Sequence, residues 1–148
     1  MLDAFQLILP QPVSIHHLGL YREPTTLQPV EYYNNLPHYQ PTTDANADDE
    51  TKQVPAMAVI LDPVIATGGT ASAAIQTLFE WGVRKVLLVS IIGNAEGVLR
   101  AASQVGEEAK DSEVEIWVGA VDEGLNDKGM IRPGLGDIGD RLFGTLGK

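Results

Sequence analysis

The sequence predicts an α/β protein whose mostly parallel, Rossmann-like sheet is flanked by helices. Residues 56–61 are a continuous apolar run and residues 86–92 are apolar except for Ser90, and both have the length of strands that are buried on both faces of a parallel sheet. Between them, apolar residues from Ala71 to Phe79 recur at helical spacing, and Gly82 stands where a helix would end. Alternating strands and helices imply right-handed crossovers, and therefore a parallel order of strands.

The other segments extend this alternating order. Residues 2–9 suggest a short helix, and residues 13–21 suggest a strand that carries Arg22 at its end. Residues 95–105 repeat the helical spacing, and residues 114–118 alternate as a last strand. The glycine-rich tail that follows is weakly periodic, and we expect it to fold as a loop over the ligand-binding edge of the sheet.

Length, composition and charge narrow the possible functions. The chain fits one domain covering residues 1–148, with 44% hydrophobic residues to build a core. Its formal net charge of −10 disfavours a nucleic-acid partner, and no apolar run reaches membrane-spanning length. The absence of cysteine excludes disulfides and thiolate metal sites and is compatible with a reducing compartment, so we expect a cytoplasmic protein. Residues 36–54 combine prolines and acids without a hydrophobic period, which predicts a mobile acidic loop.

The most informative segment is residues 59–70, Val-Ile-Leu-Asp-Pro-Val-Ile-Ala-Thr-Gly-Gly-Thr, where an apolar strand ends in an acid and a glycine turn. Gly68 and Gly69 allow a tight turn with inward N–H groups, while Thr67 and Thr70 add hydroxyl donors. A helix that begins there adds the positive end of its dipole, so the segment predicts a phosphate cradle. No lysine follows the glycines, which argues against a nucleoside triphosphate loop and favours a single terminal phosphate.

Asp62 lies at the carboxyl end of the predicted strand, where open α/β sheets bind their ligands. A carboxylate at this place can hydrogen-bond ribose hydroxyls or lie near a metal-bound substrate. The alternative for the same residues is an Asp-Pro turn followed by the glycine-rich start of a helix, with no ligand.

Gly134, Gly136 and Gly139 match the Gly-x-Gly-x-x-Gly pattern of dinucleotide-binding loops. That motif needs a following helix, another strand and an acidic residue about 20 positions on. Since nine residues follow Gly139, we expect instead a tight loop whose backbone approaches a flat ligand. A glycine-rich loop without a ligand is the alternative.

Residues 62–70 and residues 129–145 (Gly-Met-Ile-Arg-Pro-Gly-Leu-Gly-Asp-Ile-Gly-Asp-Arg-Leu-Phe-Gly-Thr) together closely resemble uracil phosphoribosyltransferases. Residues 18–37, 94–97 and 121–126 are similar to the same family, so the resemblance covers nearly the whole chain apart from a middle loop. It implies the phosphoribosyltransferase fold, with the glycine-rich loop over the ligand edge. It also implies transfer of a phosphoribosyl group from phosphoribosyl pyrophosphate to uracil, giving UMP in pyrimidine salvage. The implied Mg²⁺ sits on the donor's pyrophosphate and not in a protein metal site, and a homo-oligomer is possible.

The resemblance also implies roles for individual residues. Thr67 to Thr70 would hold the 5′-phosphate, Asp62 the ribose and Arg22 the leaving pyrophosphate. The implied catalytic residues are Asp62, Asp137 and Arg22. The implied residues for phosphoribosyl pyrophosphate are Arg22, Asp62, Pro63, Val64, Ile65, Ala66, Thr67, Gly68, Gly69, Thr70 and Asp137. The implied uracil-binding residues are Ile131, Gly136, Asp137 and Ile138.

Uracil presents an acceptor, a donor and an acceptor along one edge. Backbone groups near Ile131 and Gly136 can offer the complementary donor, acceptor and donor. Cytosine presents a different pattern, so a loop of this kind predicts a preference for uracil.

One part of the family pattern is missing at the start of the sequence. Relatives carry an Arg-Ala-Gly segment, which helps to bind pyrophosphate, just before the residues that correspond to residues 1–5. We therefore expect either a fragment of a complete enzyme or a short paralogue with weak catalysis. A non-catalytic protein that senses UMP is the competing function.

Overall fold

The computed structural model describes residues 1–23, 25–26, 28–37, 54–103 and 112–145. In chain order its elements are α1 (Leu2–Ile8), β1 (Leu18–Arg22), β2 (Pro29–Asn34), β3 (Met57–Leu61), β4 (Val64–Ile65), α2 (Gly69–Trp81), β5 (Lys85–Asn94), α3 (Ala95–Ala102), β6 (Glu113–Asp122), β7 (Gly124–Leu125), β8 (Ile131–Arg132) and α4 (Ile138–Phe143). Among these residues, no helix combines the length and the apolarity needed to cross a bilayer.

At the centre of the described chain is a parallel sheet of four strands. β3 pairs with the first half of the central strand β5, β4 pairs with its second half, and β6 pairs along nearly its whole length. All three pairings are parallel, so the carboxyl ends of the strands lie at one end of the sheet. The predicted α/β fold with a mostly parallel sheet is confirmed.

One face of the sheet carries the hydrophobic core. Val86 and Leu88 alternate along β5 as fully buried residues, because residues two apart on a strand share a face. They pack in one cluster with Ile75 and Leu78 of α2 and Ala101 of α3. The helical spacing of apolar residues in the sequence therefore predicted which faces of α2 and α3 cover this side of the sheet.

The opposite face of β5 is less covered by the described residues than its apolar sequence predicts. Leu87 and Val89 are half-buried, while Ile91 is 57% exposed. On the neighbouring strand β6, Trp117 is 63% exposed. Within the described chain, burial on both faces is therefore found for only part of β5.

The strand predicted at residues 13–21 is shorter in the structure. It begins at Leu18 as β1 and pairs with the antiparallel strand β2, which the sequence pattern did not predict. A strand needs a partner, and β2 ends at Asn34, directly opposite Leu18. The apolar residues before Leu18 have the composition of a strand without its hydrogen bonds.

Other boundaries also differ from the prediction. α3 ends at Ala102, and the end of the helix predicted at residues 95–105 lies outside the described residues. β6 extends to Asp122 because β5 offers it a partner along that length. Most of the predicted loop at residues 36–54 also lies outside the described residues. The glycine-rich tail contains the β7–β8 pair and the short helix α4.

Candidate active site

A cavity of about 410 Å³ lies at the carboxyl end of the parallel sheet. It is lined by the end of β1, the segment that follows β3, and the glycine-rich loop around β8. The predicted site residues in its lining are Arg22, Asp62, Val64, Ile65, Ala66, Thr67, Gly68, Thr70, Ile131, Gly136, Asp137 and Ile138. Two predicted residues, Pro63 and Gly69, are not part of the lining.

The Thr-Gly-Gly-Thr segment forms the turn into α2. Gly68 is the N-cap residue in a left-handed conformation (φ 78°), and the N–H of Ser72 donates to its carbonyl oxygen over 2.8 Å. A Cβ on Gly68 would lie 2.2 Å from the carbonyl oxygen of Gly97, so this position requires glycine. Gly69 is the first helical residue and has no positive φ. The expectation that both glycines make the turn is correct for Gly68 alone.

The start of α2 presents backbone donors to the cavity. The first N–H groups of a helix have no partner within the helix, and Thr70 and Ala71 of this turn line the cavity. Thr67 lines the same wall. Because α2 has 13 residues, the positive end of its dipole adds to the attraction for an anion. These donors suit a single phosphate group.

Asp62 directly follows β3 and is half-buried at the cavity wall. Its N–H donates to the carbonyl oxygen of Val89 over 3.2 Å, which fixes the backbone against β5. Burial raises the pKa of the Asp62 carboxyl above its ordinary value, and a 3.4 Å hydrogen bond from the N–H of Val64 opposes this rise only in part. Keeping Asp62 ionised therefore costs the ligand-free protein free energy of folding. A bound hydroxyl group or cation would reduce that cost.

We predict that Asp62→Asn raises the melting temperature of the ligand-free protein at pH 7. A carboxyl whose pKa is higher in the folded state than in the unfolded state destabilises the fold when it is charged, so stability falls as the pH rises through the raised pKa. The amide does not titrate, and its advantage should disappear as the pH falls toward the ordinary value of 3.8. Thermal unfolding of both proteins across this pH range measures the difference. The exposed acid Asp127, changed to Asn, is the control. A lower melting temperature for Asp62→Asn at pH 7 would contradict the prediction.

Arg22 connects the β1–β2 hairpin to the turn that precedes β8. Its Nη1 donates to the carbonyl oxygen of Gly129 over 3.0 Å, and its Nη2 donates to that of Lys128 over 3.4 Å. Gly129 is buried with a φ of 69°, and a Cβ there would lie 2.9 Å from Nη1. A guanidinium has five N–H donors, so Arg22 can hold this turn and still offer donors to the cavity that it lines.

Asn126 shapes the turn between β7 and β8. Its Oδ1 accepts hydrogen bonds from the N–H groups of Lys128 (3.0 Å) and Met130 (2.9 Å). The N–H of Asn126 itself donates to the carbonyl oxygen of Met130 over 2.9 Å. The turn thereby delivers Ile131, which is 7% exposed, to the cavity wall.

The glycine-rich loop after β8 is held by the carboxylate of Asp122. Oδ2 of Asp122 accepts a 2.8 Å hydrogen bond from the N–H of Gly134. Gly134 and Gly136 are left-handed, with φ of 50° and 72°. A Cβ on Gly134 would lie 2.2 Å from the carbonyl oxygen of Ile131, which makes this a turn that only glycine can form. The loop therefore brings both Ile131 and Gly136 to the lining of the cavity.

Sequence reasoning did not single out the side chains that fold this loop. Asn126 carries a local signal, because an asparagine two to four residues before glycine often closes a turn with its side chain. Asp122 carries none, since its partner lies 12 residues along the chain. Further residues missed are Arg141, whose Nε donates to the carbonyl oxygen of Leu135, and the lining residues Leu20, Ile92 and Met130.

Asp62 and Asp137 are the carboxylates that line the cavity. The described residues contain no group of three or more His, Cys, Asp or Glu side chains placed to hold a metal ion. Two carboxylates nevertheless suit a hard cation such as Mg²⁺, which takes its remaining ligands from substrate phosphates and water.

The sequence matches the family model described as uracil phosphoribosyltransferase over residues 1–145. It is 46% identical over 145 residues to the protein urg2 of Schizosaccharomyces pombe and 43% identical over 145 residues to a uracil phosphoribosyltransferase of Finegoldia magna; each alignment covers 98% of this chain. A solved structure, the AQ2163 protein of Aquifex aeolicus, superposes with a TM-score of 0.65 at 41% identity, covering 86% of this chain and 52% of that one. The chain spans 60% of the length of both relatives.

Proposed function

The chain belongs to the uracil phosphoribosyltransferase family, and from this we propose that it binds phosphoribosyl pyrophosphate and uracil and forms UMP and pyrophosphate. One observation carries the proposal: the phosphate-binding turn, Asp62, Arg22 and the glycine-rich loop all line a single cavity. They come from distant parts of the chain, and each offers groups suited to a different part of the two substrates.

The proposed chemistry depends on position more than on a protein nucleophile. The bond between the anomeric carbon and the pyrophosphate oxygen breaks with its electrons going to pyrophosphate, and a bond to N1 of uracil forms as the N1 proton passes to pyrophosphate or solvent. In the proposal, the amides at the start of α2, with Thr67 and Thr70, hold the 5′-phosphate, while Asp62 orients the ribose. Backbone groups of Ile131 and Gly136 hold the flat base against the anomeric carbon. Fixing both reactants in this way supplies much of the rate enhancement in reactions of this type.

Mg²⁺ on the substrate is part of the proposal. Asp62 and Asp137 line the cavity and would face the substrate-bound ion, as carboxylates of the kind that a hard cation prefers. When bound, the ion offsets the charge that develops on the leaving pyrophosphate. A cytoplasmic location, expected from the absence of cysteine, and a homo-oligomer, implied by the family resemblance, are parts of the same proposal.

A second function, binding of UMP without turnover, is favoured by the charge of the site. Among the described residues that line the cavity, Arg22 is the one cation, and it already donates to two backbone carbonyls. A leaving group with several negative charges usually requires more stabilisation than one shared guanidinium provides.

One preparation can separate the two functions. UMP formation from uracil, phosphoribosyl pyrophosphate and Mg²⁺ is measured together with UMP affinity by calorimetry. Turnover supports the transferase, while UMP affinity without turnover supports the binding protein. If the folded chain shows neither, the proposed function is wrong.

We predict that Arg22→Ala weakens the binding of Mg²⁺-pyrophosphate by about 10- to 100-fold, the usual value of a charge-assisted hydrogen bond to an anion. Ribose 5-phosphate, which has no pyrophosphate, should bind with an unchanged affinity. Arg84→Ala removes the same charge from an exposed position at the opposite end of the sheet and is the control. Calorimetric titrations of the three proteins provide the measurement. Equal pyrophosphate affinities in all three would remove Arg22 from the leaving-group site.

A further inference from the structure

Asp122 is the last residue of β6, beyond the cavity lining, yet its side chain reaches the glycine-rich loop. The hydrogen bond from the N–H of Gly134 to its Oδ2 is 2.8 Å long and half-buried. Its neighbour Glu123 is exposed, so the two consecutive acids lie in different surroundings.

The pairing of β7 with β8 explains why a side chain is needed at this point. Gly124 lies opposite Arg132 and Leu125 opposite Ile131, so continuation of this antiparallel register would place Asp122 opposite Gly134. Pro133 stands between and has no N–H to donate, which interrupts a backbone ladder. The Asp122 carboxylate accepts the next available N–H, that of Gly134, and so continues the connection beyond the proline.

The position of Gly134 controls the part of the loop that lines the cavity. Its left-handed turn passes so close to Ile131 that a Cβ would lie 2.2 Å from the Ile131 carbonyl oxygen. Gly136, two residues further on, lines the same cavity as Ile131. A shift of Gly134 therefore moves the Ile131 and Gly136 backbone groups relative to each other.

We infer that Asp122 is a positioning residue for base recognition: by holding the Gly134 N–H, it sets the spacing of the backbone groups that read the base. This inference rests on the proposed function, because it assigns the base to this loop. Asp122 does not line the cavity and contacts the loop instead, so its effect should fall on the base and leave the turn into α2 unchanged.

Two ligands separate these effects. Asp122→Ala is expected to weaken UMP binding by about 10- to 100-fold, since a hydrogen bond to a charged acceptor is lost. Ribose 5-phosphate, which lacks the base, should bind Asp122→Ala as it binds the original protein. Asp122→Asn keeps an oxygen acceptor and should recover most of the UMP affinity. Glu123→Ala removes a carboxylate of the same charge from the adjacent position and should change neither affinity. Equal losses for UMP and ribose 5-phosphate in Asp122→Ala, or no loss for either, would overturn the inference.

Hydrogen exchange of the ligand-free proteins provides a readout that does not depend on the proposed function. In Asp122→Ala, the amides of residues 131–132 and 134–136 should exchange faster than in the original protein and in Glu123→Ala, while amides of β5 should be unchanged. Unchanged exchange in the loop would refute the role of Asp122, whatever the protein binds. A different outcome is faster exchange in Asp122→Ala while the original protein binds UMP no more tightly than ribose 5-phosphate. That outcome would support the contact between Asp122 and the loop but reject base recognition by the loop.

Discussion

Replacing Gly68 by alanine is expected to weaken the binding of ribose 5-phosphate and UMP by about 100-fold or more, because displacement of binding groups by about 1 Å can cost that much. The added Cβ would lie 2.2 Å from the Gly97 carbonyl oxygen. In addition, Gly68 has a φ of 78°, a backbone conformation that residues with a side chain rarely adopt. The turn must therefore move away from α3 and carry the amides at the start of α2 with it. Calorimetry with the two ligands measures the loss.

The adjacent Gly69→Ala is the matched control for this prediction. Gly69 has a helical conformation, and a Cβ there would meet Pro29 at 3.6 Å and Thr67 at 3.7 Å, which are ordinary contacts. Circular dichroism must show that both variants are folded. If folded Gly68→Ala binds ribose 5-phosphate as tightly as Gly69→Ala does, the turn into α2 is not the phosphate site.

UMP is expected to bind more tightly than CMP by a large factor, on the order of 10⁴ in favourable cases, because a buried site built for one hydrogen-bond pattern leaves groups unpaired with another. The groups concerned are the backbone amides and carbonyls near Ile131 and Gly136. A substitution replaces a side chain but leaves these backbone groups in the chain. Competition between the two nucleotides on the original protein is the measurement, with ribose 5-phosphate as the reference without a base. Similar affinities for UMP and CMP would show that this loop does not read the base.

The turn into α2, which we propose binds phosphate, could be predicted as a turn because its information is local. The strand, the turn residues and the start of the helix follow one another within residues 57–72, and each has a direct signal in composition or spacing. The sequence did not show that Gly68 makes the left-handed turn while Gly69 begins the helix. This difference depends on Gly97, which belongs to another helix and approaches Gly68 only in the folded chain.

The glycine-rich loop shows what a sequence pattern does not contain. Its glycines indicated a tight turn, but Asp122, which holds the loop after β8, acts over 12 positions of the chain, and Arg22, which holds the turn before β8, acts over 107. The hairpin strand β2 was missed for a similar reason, since its exposed side chains give no hydrophobic period. Composition predicted the central sheet because burial leaves a pattern, whereas isolated hydrogen bonds between distant residues leave none.

The two halves of the cavity are built by different means, and this affects how the protein could change in evolution. The proposed phosphate-binding turn lies between β4 of the parallel sheet and α2, which packs in the core, so a change there also disturbs the core. The glycine-rich loop and the turn before β8 are attached through a few hydrogen bonds, in which Arg22 donates to the Gly129 carbonyl oxygen while Asp122 and Asn126 accept from the N–H groups of Gly134 and Met130. Under the proposed function, a lineage could therefore exchange one nucleobase for another by altering this loop, while inheriting the proposed ribose-phosphate half without modification.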